Sequence, residues 1–393
     1  MARVRIAPGR EAPIRGRHPW VFSGAVAAVE GSPADGDVVD VVGADDRFLA
    51  RGLFNRRSQI RVRLYTWRDE PLDDAFFASR IAGAVALRRR LPGADARDAM
   101  RLVFSEGDGL SGLTVDRYGD TLCVQLTSLA LARRREAIFD ALEAQLRPSG
   151  IVLRTEKGIL EDEGLELADG VVRGRSPDGM VTLREGDVVF QVDLRTGQKT
   201  GFYLDQSVNR PAVARYAPGR SVADVCCYTG GFALHCAAGG ARRIVGVDAS
   251  ERALSLARDN AGRNVSGAQP EWVREDAFRW LTEQAAGGAR YDLVVLDPPR
   301  FARSTRGVVQ ALRAYRRLNE TALRVLEPGG VLATFSCSGR VDPEAFRMVV
   351  GRAAAAAGRH VRIVERLGQP PDHPVSATCP ETLYLKGLIC VAE

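Results

Sequence analysis

Histidine is scarce in this sequence, and its cysteines follow no metal-binding pattern. The 393 residues include four histidines, and the seven cysteines contain no CxxC pair and no cysteine–histidine spacing typical of a zinc site. The sequence therefore predicts no metal centre. Because the number of cysteines is odd and no secretion signal is recognisable, we expect free thiols, most of them buried and inert.

Long apolar runs are also missing. No run approaches the roughly 20 residues that a membrane-spanning helix needs, and residues 1–6 lack the apolar core of a signal peptide. The sequence therefore predicts a cytoplasmic protein without a membrane partner. Lysine is rare beside arginine, and the net charge of +6 permits an anionic partner such as RNA without requiring one.

The first half of the chain predicts two small domains. Residues 1–67 contain short strand patterns separated by turn residues, which predicts a β-barrel. Residues 68–186 predict a central α+β domain with helices at 73–91 and 130–146 and a hairpin turn at Gly119-Asp120. We expect the arginines that end the first helix to complement its dipole.

Residues 187–393 alternate strand patterns with helix patterns. This alternation predicts an open parallel sheet with helices on both faces, in which ligands bind beyond the carboxyl ends of the strands. The stretch 224–232 reads as a strand end, a glycine-bearing turn and a helix start. It lacks the G-x-G-x-x-G of a dehydrogenase, and the chain has no phosphate-loop motif.

Acidic residues end successive predicted strands. Asp224, Asp248, Asp276 and Asp297 occupy these positions, and Asp248 follows the glycine turn at the spacing of a residue that binds ribose hydroxyls. Four carboxylates suit a cofactor with a sulfonium, an ammonium, a ribose and an adenine amine. The sequence therefore predicts S-adenosylmethionine. Asp248 and Asp276 could instead cap the helices that follow them.

Basic and aromatic residues alternate near the N-terminus. Arg15, Arg17, His18 and Trp20 suit phosphate contacts and base stacking, which predicts an RNA-binding surface. The alternative is that Trp20 and Phe22 fill the barrel core while the arginines are solvated.

Motifs in all three segments carry a family resemblance. They are residues 16–22, 106–118, 200–206, 224–232, 297–301, 335–339, 372–375 and 384–387. With these motifs the chain resembles the bacterial 23S rRNA 5-methylcytosine methyltransferases that carry an N-terminal PUA domain. The resemblance implies a PUA-like β-barrel at 1–67, a central α+β domain at 68–186 and a class I methyltransferase domain, a Rossmann-like doubly wound α/β sheet, at 187–393.

The resemblance also implies the residues that bind the cofactor. Asp248 with Ala249 would bind the ribose, Asp276 with Ala277 would bind the adenine, and Asp297 would border the methyl group. The other implied cofactor residues lie in the turn and in a segment that closes over the cofactor: Asp224, Cys226, Tyr228, Thr229, Gly230, Phe232, Gln198, Phe202, Tyr203 and Asp205.

Cys337 is the implied nucleophile. In the family a thiolate adds to carbon 6 of cytosine, which makes carbon 5 reactive toward the methyl group, and Asp297 would stabilise the ring. The alternative is a buried, inert thiol. Arg300 would contact RNA, although the family usually has lysine at this position, and Pro299-Arg300 lacks the second cysteine that some cytosine methyltransferases use.

Two other functions stay open at this point. An exocyclic-amine methyltransferase would typically place an aromatic residue directly after Asp-Pro-Pro, where this chain has Arg300. A non-catalytic RNA-binding assembly factor would have no use for Cys337. The sequence does not give the target nucleotide, the proton acceptor at carbon 5, or whether the protein forms a homodimer.

Overall fold

The computed structural model describes residues 1–175, 179–264, 268–301 and 307–393. The chain forms two compact units. The first consists of Met1–Leu183, Val192–Leu204 and Pro371–Thr382, and the second of Arg184–Gln191, Asp205–Pro370 and Leu383–Glu393. The first unit therefore includes two short pieces of the segment predicted as the methyltransferase domain. The division into three domains at 67 and 186 stays a prediction.

A six-stranded sheet begins the first unit. The strand order is β2-β6-β5-β4-β1-β3, with β1 and β4 parallel and the other neighbours antiparallel. Buried residues such as Val39 and Val41 alternate with half-buried Val38 and Asp40, as a strand with one face on a core requires. The elements are β1 (Ala2–Ile6), α1 (Ala12–Arg15), β2 (Trp20–Phe22), β3 (Val26–Glu30), β4 (Val38–Val42), β5 (Phe48–Phe54) and β6 (Ile60–Thr66).

The first unit also contains a five-stranded sheet with the order β11-β10-β9-β8-β7 and the helices α2 to α5. Its elements are α2 (Asp74–Arg89), β7 (Ala99–Phe104), β8 (Leu113–Tyr118), β9 (Thr121–Leu126), α3 (Leu129–Ala132), α4 (Arg135–Leu146), β10 (Gly150–Arg154), α5 (Lys157–Glu163) and β11 (Gly170–Gly174). The predicted hairpin turn is confirmed, since Tyr118 pairs with Thr121.

The helix predicted at 130–146 is two helices. Arg134 leaves the helical conformation, with φ −101° and ψ 13°, and separates α3 from α4. Its guanidinium donates to the carbonyl of Ala130 at 3.0 Å and to that of Gly36 at 2.9 Å. The side chain therefore satisfies a carbonyl that a continuous helix would have bonded to its own backbone.

A hairpin of β12 (Met180–Glu185) and β13 (Val188–Asp193) leads to the seven-stranded sheet of the second unit, whose order is β16-β15-β14-β17-β18-β20-β19. The strands are β14 (Ser221–Val225), β15 (Arg243–Asp248), β16 (Glu271–Arg274), β17 (Tyr291–Leu296), β18 (Leu326–Ser336), β19 (Val361–Gly368) and β20 (Lys386–Ala392). The helices are α6 (Asn209–Ala214), α7 (Gly231–Ala238), α8 (Glu251–Arg263), α9 (Ala277–Ala286), α10 (Val308–Arg324) and α11 (Pro343–Ala356).

Helices cover both faces of this sheet, as predicted for a doubly wound α/β fold. Alternate residues of the strands face opposite sides: Val222 packs with Phe232 of α7, and Ala223 belongs to the cluster that contains Leu318 of α10. The prediction of a wholly parallel sheet is wrong, because β20 runs antiparallel to β18 and β19. A parallel return would need a crossover, usually a helix, and the described connection from β19 to β20 contains no helix longer than the 3-10 turn Pro380–Thr382.

Within the described ranges, no helix has the length and apolar character that crossing a bilayer requires.

Candidate functional site

The turn between β14 and α7 has an unusual backbone. Cys226, Tyr228 and Gly230 have φ angles of 66°, 51° and 83°, a region that residues with a side chain seldom adopt. The backbone N–H groups of Cys226 and Cys227 both donate to the carbonyl of Val247 in β15. Such strain clusters at ligand-binding sites, where the surrounding structure holds it in place.

Asp224 lies at the base of this turn and is fully buried. Its Oδ2 accepts a hydrogen bond from the N–H of Ala233 at 2.9 Å, while Oδ1 has no partner among the described residues. Burial, aided by the negative charges of Asp297 and Asp248, raises the pKa of Asp224 from its ordinary 3.8 to about 7. A cation bound at this carboxylate would offset the cost of ionising it.

Thr229 and Phe232 complete the predicted turn residues. Both side chains are buried, and the hydroxyl of Thr229 also lacks a partner within the described part of the chain. Unpaired buried oxygens fit a ligand that brings its own donors, such as the ammonium and hydroxyl groups of S-adenosylmethionine. Burial raises the pKa of Cys226 and Cys227 well above the usual range, so neither thiol suits a nucleophile.

Asp248 holds the turn in place. Its Oδ2 accepts from the N–H of Tyr228 and its Oδ1 from the N–H of Ser250, each at 2.9 Å. The helix-cap alternative for Asp248 is wrong, because Ser250 caps α8 through the N–H of Ala253. Ala249 is exposed beside it. Contact with a ribose stays a prediction.

Asp276 does cap a helix. Its Oδ1 accepts from the N–H groups of Phe278 and Arg279 at 3.0 and 3.1 Å, at the start of α9. Its neighbour Ala277 is half-buried. Capping does not conflict with a ligand contact through Oδ2, so the predicted adenine contact stays a prediction. Asp276 also lines an open pocket of about 540 Å³ together with Phe278, Arg279, Thr282, Glu283 and Arg317.

Trp272 of β16 is a residue that the sequence did not single out. A Cβ atom on Gly230 would lie 2.6 Å from its indole ring, and a Cβ atom on Gly246 would lie 2.4 Å from the same ring. Both distances are far below van der Waals contact. Two glycines and one indole therefore fix the spacing between the turn and the neighbouring strands.

Asp297 and Cys337 follow the neighbouring parallel strands β17 and β18. The backbone N–H of Asp297 donates to the carbonyl of Val225, at the start of the turn. The Sγ of Cys337 lies 3.9 Å from the carbonyl oxygen of Pro298. Both residues are half-buried. The structure thus brings the two predicted catalytic residues to one edge of the sheet, beside the predicted cofactor turn.

Two elements, α10 and β20, hold the segment that carries Cys337. Tyr315 of α10 places its hydroxyl 3.0 Å from the hydroxyl of Ser338. The Lys386 Nζ, at the start of β20, donates to the carbonyl oxygens of Ser338 at 2.6 Å and Tyr384 at 2.8 Å. The sequence indicated no role for Tyr315 or Lys386, although the motif at 384–387 includes the lysine.

The predicted closing segment is divided between the two units. Gln198, Phe202 and Tyr203 belong to the first unit, where the hydroxyl of Tyr203 donates to the side-chain oxygen of Gln198 at 2.5 Å and Phe202 is buried. Asp205 belongs to the second unit and accepts a hydrogen bond from the hydroxyl of Tyr384 at 2.6 Å. Their contact with a cofactor stays a prediction.

The predicted RNA-binding residues of the first unit lie close together in sequence, around β2. Arg15 pairs with Glu11, whereas Arg17 is exposed with a φ of 62° and no ion pair among the described residues. The core-filling alternative is wrong for Phe22, which is 44% exposed. Trp20 is half-buried and donates its indole N–H to Glu106 at 2.9 Å.

His18 lies beside Cys379 and Glu381, and their possible ligand atoms lie within 4.8 Å of one another. The Nδ1 of His18 accepts a hydrogen bond from the backbone N–H of Trp20 at 3.2 Å, so the neutral ring carries its proton on Nε2. That N–H faces Glu381 at 3.2 Å and donates to it. A metal bound to Nε2 would have to break this arrangement.

Arg300 is exposed after Pro299. The next residue, Phe301, packs on Tyr315 with ring centroids 4.8 Å apart. The ring of Phe301 therefore packs against the protein, whereas the cation of Arg300 lies on the surface.

Comparison with known proteins agrees with this geometry. A PUA-like domain matches residues 4–67, and the S-adenosylmethionine-dependent methyltransferase family matches residues 172–387. Ribosomal RNA large subunit methyltransferase I from Klebsiella pneumoniae (strain 342) is 41% identical over 390 residues, which cover 99% of this chain and 98% of the relative. The protein of the same name from Aeromonas hydrophila subsp. hydrophila is 41% identical over the whole of both chains.

Two solved structures share the fold over the full length of both chains. A candidate S-adenosylmethionine-dependent methyltransferase from Streptococcus mutans superposes with a TM-score of 0.87 at 19% identity. A second candidate methyltransferase, solved with SAH, gives a TM-score of 0.88 at 20% identity. The predicted class I fold and the predicted cofactor, S-adenosylmethionine, are confirmed. The chain belongs to the S-adenosylmethionine-dependent methyltransferase family, in the group with an N-terminal PUA-like domain that includes the ribosomal RNA large subunit methyltransferases I.

Proposed function

We propose that this chain transfers a methyl group from S-adenosylmethionine to carbon 5 of a cytosine in 23S ribosomal RNA. The names of its full-length relatives support ribosomal RNA as the substrate. One observation carries the choice of cytosine carbon 5: a thiol, Cys337, and a carboxylate, Asp297, follow adjacent strands at the edge of the sheet that holds the turn. Such a substrate would place the enzyme in the cytoplasm.

The residues of the turn would hold the cofactor. The unpaired oxygens of Asp224 and Thr229 would accept hydrogen bonds from its ammonium and hydroxyl groups, and Asp248 would bind its ribose. Asp276 would reach the adenine through the carboxylate oxygen that does not cap α9. The bound cofactor supplies an electrophilic methyl group on a sulfonium.

Cys337 would supply the nucleophile. Carbon 5 of cytosine is poorly nucleophilic until a thiolate adds to carbon 6 and forms an S–C6 bond, which pushes electron density to carbon 5. After methylation, loss of the carbon 5 proton restores the double bond and breaks the S–C6 bond, so the thiolate is regenerated. Asp297 would hold or protonate the ring at N3 and N4, so that a proton offsets the negative charge that the thiolate brings to the ring on addition.

Basic residues and half-buried aromatic rings would bind the RNA. Arg17, His18 and Trp20 offer a cation and rings near β2, and Arg15 adds a cation that is paired with Glu11. Arg300 would contact a phosphate next to the target base, since it lies directly after the Asp297 motif and is exposed.

The substitution Cys337→Ala tests this function. We expect it to abolish methylation of 23S rRNA, because Cys337 is the thiol that would add to carbon 6, while S-adenosylmethionine binding by calorimetry stays within about twofold. Methylation is measured by transfer of labelled methyl groups and by mass mapping of the modified nucleotide. Cys390→Ala is the matched control, because burial raises the pKa of that thiol to about 12 and we expect it to retain activity.

Three results would contradict the proposal. Full activity of Cys337→Ala would exclude the covalent route. A methyl group on an exocyclic nitrogen of adenine or guanine would identify a different reaction. Failure of the wild-type chain to bind S-adenosylmethionine would favour a non-catalytic RNA-binding factor.

A further inference from the structure

Lys386 is one of three lysines in a chain of 393 residues, and it is the one beside the proposed nucleophile. We propose that the buried ammonium of Lys386 is a positioning group that stabilises the thiolate of Cys337. This inference rests on the proposed function, because it assigns a purpose to a residue that acts through Cys337.

The backbone brings the lysine and the cysteine together from two strands. Lys386, the first residue of β20, is the register partner of Ser336, which directly precedes Cys337. Its Nζ donates to the carbonyl of Ser338, which directly follows Cys337, at 2.6 Å. The ammonium therefore lies against the three-residue segment that carries the thiol. A second bond, to the carbonyl of Tyr384, fixes it there at 2.8 Å.

The charge of Lys386 is shielded from water and is not cancelled locally. The residue is 5% exposed, and its hydrogen bonds go to neutral carbonyls, with no carboxylate within ion-pair distance in the described ranges. Burial lowers the pKa of Lys386 to about 8, while a charge on Cys337 and, more weakly, Asp342 act to raise it. The lysine thus keeps its proton at pH 7, and a thiolate stabilises it in return.

Three other polar side chains in the described part of the chain, those of Tyr315, Asp342 and Asp297, are not cations. Tyr315 faces the segment from α10, and burial raises its pKa to about 12, so it stays neutral. Asp342 at the start of α11 is exposed and caps that helix, and Asp297 after β17 carries a carboxyl group, which supplies no positive charge. Among these described residues, Lys386 is therefore the group that favours loss of the thiol proton to solvent.

The test is the pH dependence of Cys337 alkylation by iodoacetamide in the intact chain, without RNA or cofactor, followed by mass spectrometry of the Cys337 peptide. We expect the wild-type midpoint to lie below the value of about 8.5 for a free cysteine. In Lys386→Met, which keeps the length of the side chain but not the charge, we expect a midpoint about one pH unit higher and a rate at pH 7 about tenfold lower. Lys386→Arg should restore most of the wild-type rate.

The controls separate this inference from folding and from the proposed function. The Cys226 peptide in the same digest is the internal reference. An equal change in its alkylation would show that the effect of Lys386 is not local to Cys337, and would overturn the proposal. A wild-type midpoint at or above 8.5 would overturn the proposal even if Lys386→Met did not fold, as would an unchanged midpoint in a folded variant. A Lys386-dependent midpoint in an enzyme that does not methylate carbon 5 would contradict only the proposed function.

Discussion

At the scale of single residues, Asp224 combines features that rarely occur together. Its carboxylate is fully buried, one of its oxygens is unpaired among the described residues, and its pKa is raised to about 7. The folded protein therefore holds a proton that the unfolded chain loses near pH 4. Because the native state binds more protons across this range, ionisation of Asp224 lowers folding stability as the pH rises from about 4 to about 7.

A bound cationic cofactor should offset the cost of ionising Asp224, because the cation interacts favourably with the ionised carboxylate. We therefore expect S-adenosylmethionine to bind more tightly at pH 7.5 than at pH 6, by up to about tenfold, and to release a proton from Asp224 on binding at pH 6. Calorimetry in buffers with different ionisation enthalpies measures both quantities. Asp224→Asn should bind weakly and lose this pH dependence.

Asp292→Asn is the matched control for this titration. Asp292 is held by Ser221 and Arg242, and its pKa is lowered to about 2, so it stays ionised across the tested range. We expect its removal to leave the pH dependence of binding unchanged. If Asp224→Asn kept the wild-type pH dependence, another group would be responsible for the proton.

At the scale of elements, the β14–α7 turn is fixed by contacts that reach across the sheet. Gly230 combines a φ of 83° with an indole ring 2.6 Å from where a Cβ would lie, whereas Gly219 has a φ of 69° and open space around it. Gly246 has the close contact without the unusual backbone. Substitutions at these three glycines can therefore distinguish the cost of backbone strain from the cost of steric crowding.

Gly230→Ala should combine both costs. We expect Gly219→Ala to lose about 1 kcal/mol of unfolding free energy from strain alone, and Gly230→Ala to lose more, with cofactor affinity at least about tenfold weaker because the turn moves. Urea unfolding and calorimetry measure the two effects. Adding Trp272→Leu to Gly230→Ala should recover part of the loss. Equal losses in the two single variants would mean that crowding by Trp272 is unimportant.

Element positions were largely predictable because hydrophobic periodicity is local. The strand at 291–296 and the glycine turn after β14 follow from residues within a few positions of one another. The break at Arg134 was not predictable, since it depends on a hydrogen bond to Gly36, about 100 residues away. The antiparallel direction of β20 likewise depends on the route of the chain after β19.

At the scale of the whole molecule, contacts between residues far apart in the sequence could not be predicted. The arginines at the end of α2 were expected to complement the helix dipole, but Arg88 is fully buried, forms an ion pair with Asp108 and donates to the carbonyl of Asp372. Asp372 lies in the short segment Pro371–Thr382, which belongs to the first unit. The motif at 372–375 could be noticed in the sequence, but no local pattern indicated its partners.

RNA binding is a property of the whole molecule, and removing one exposed cation tests it. Arg17→Ala should weaken 23S rRNA binding by about threefold to tenfold, because Arg17 is exposed and forms no ion pair among the described residues. The slope of the binding constant against salt concentration on logarithmic axes should also become shallower, by the amount expected for the loss of about one phosphate contact. Arg89→Ala, which removes an exposed cation from the end of α2, is the matched control, and we expect a smaller effect. Filter binding over a salt series measures both, and S-adenosylmethionine affinity should stay constant. Equal losses in the two variants would indicate non-specific attraction to a basic protein and would contradict an RNA-binding surface at Arg17.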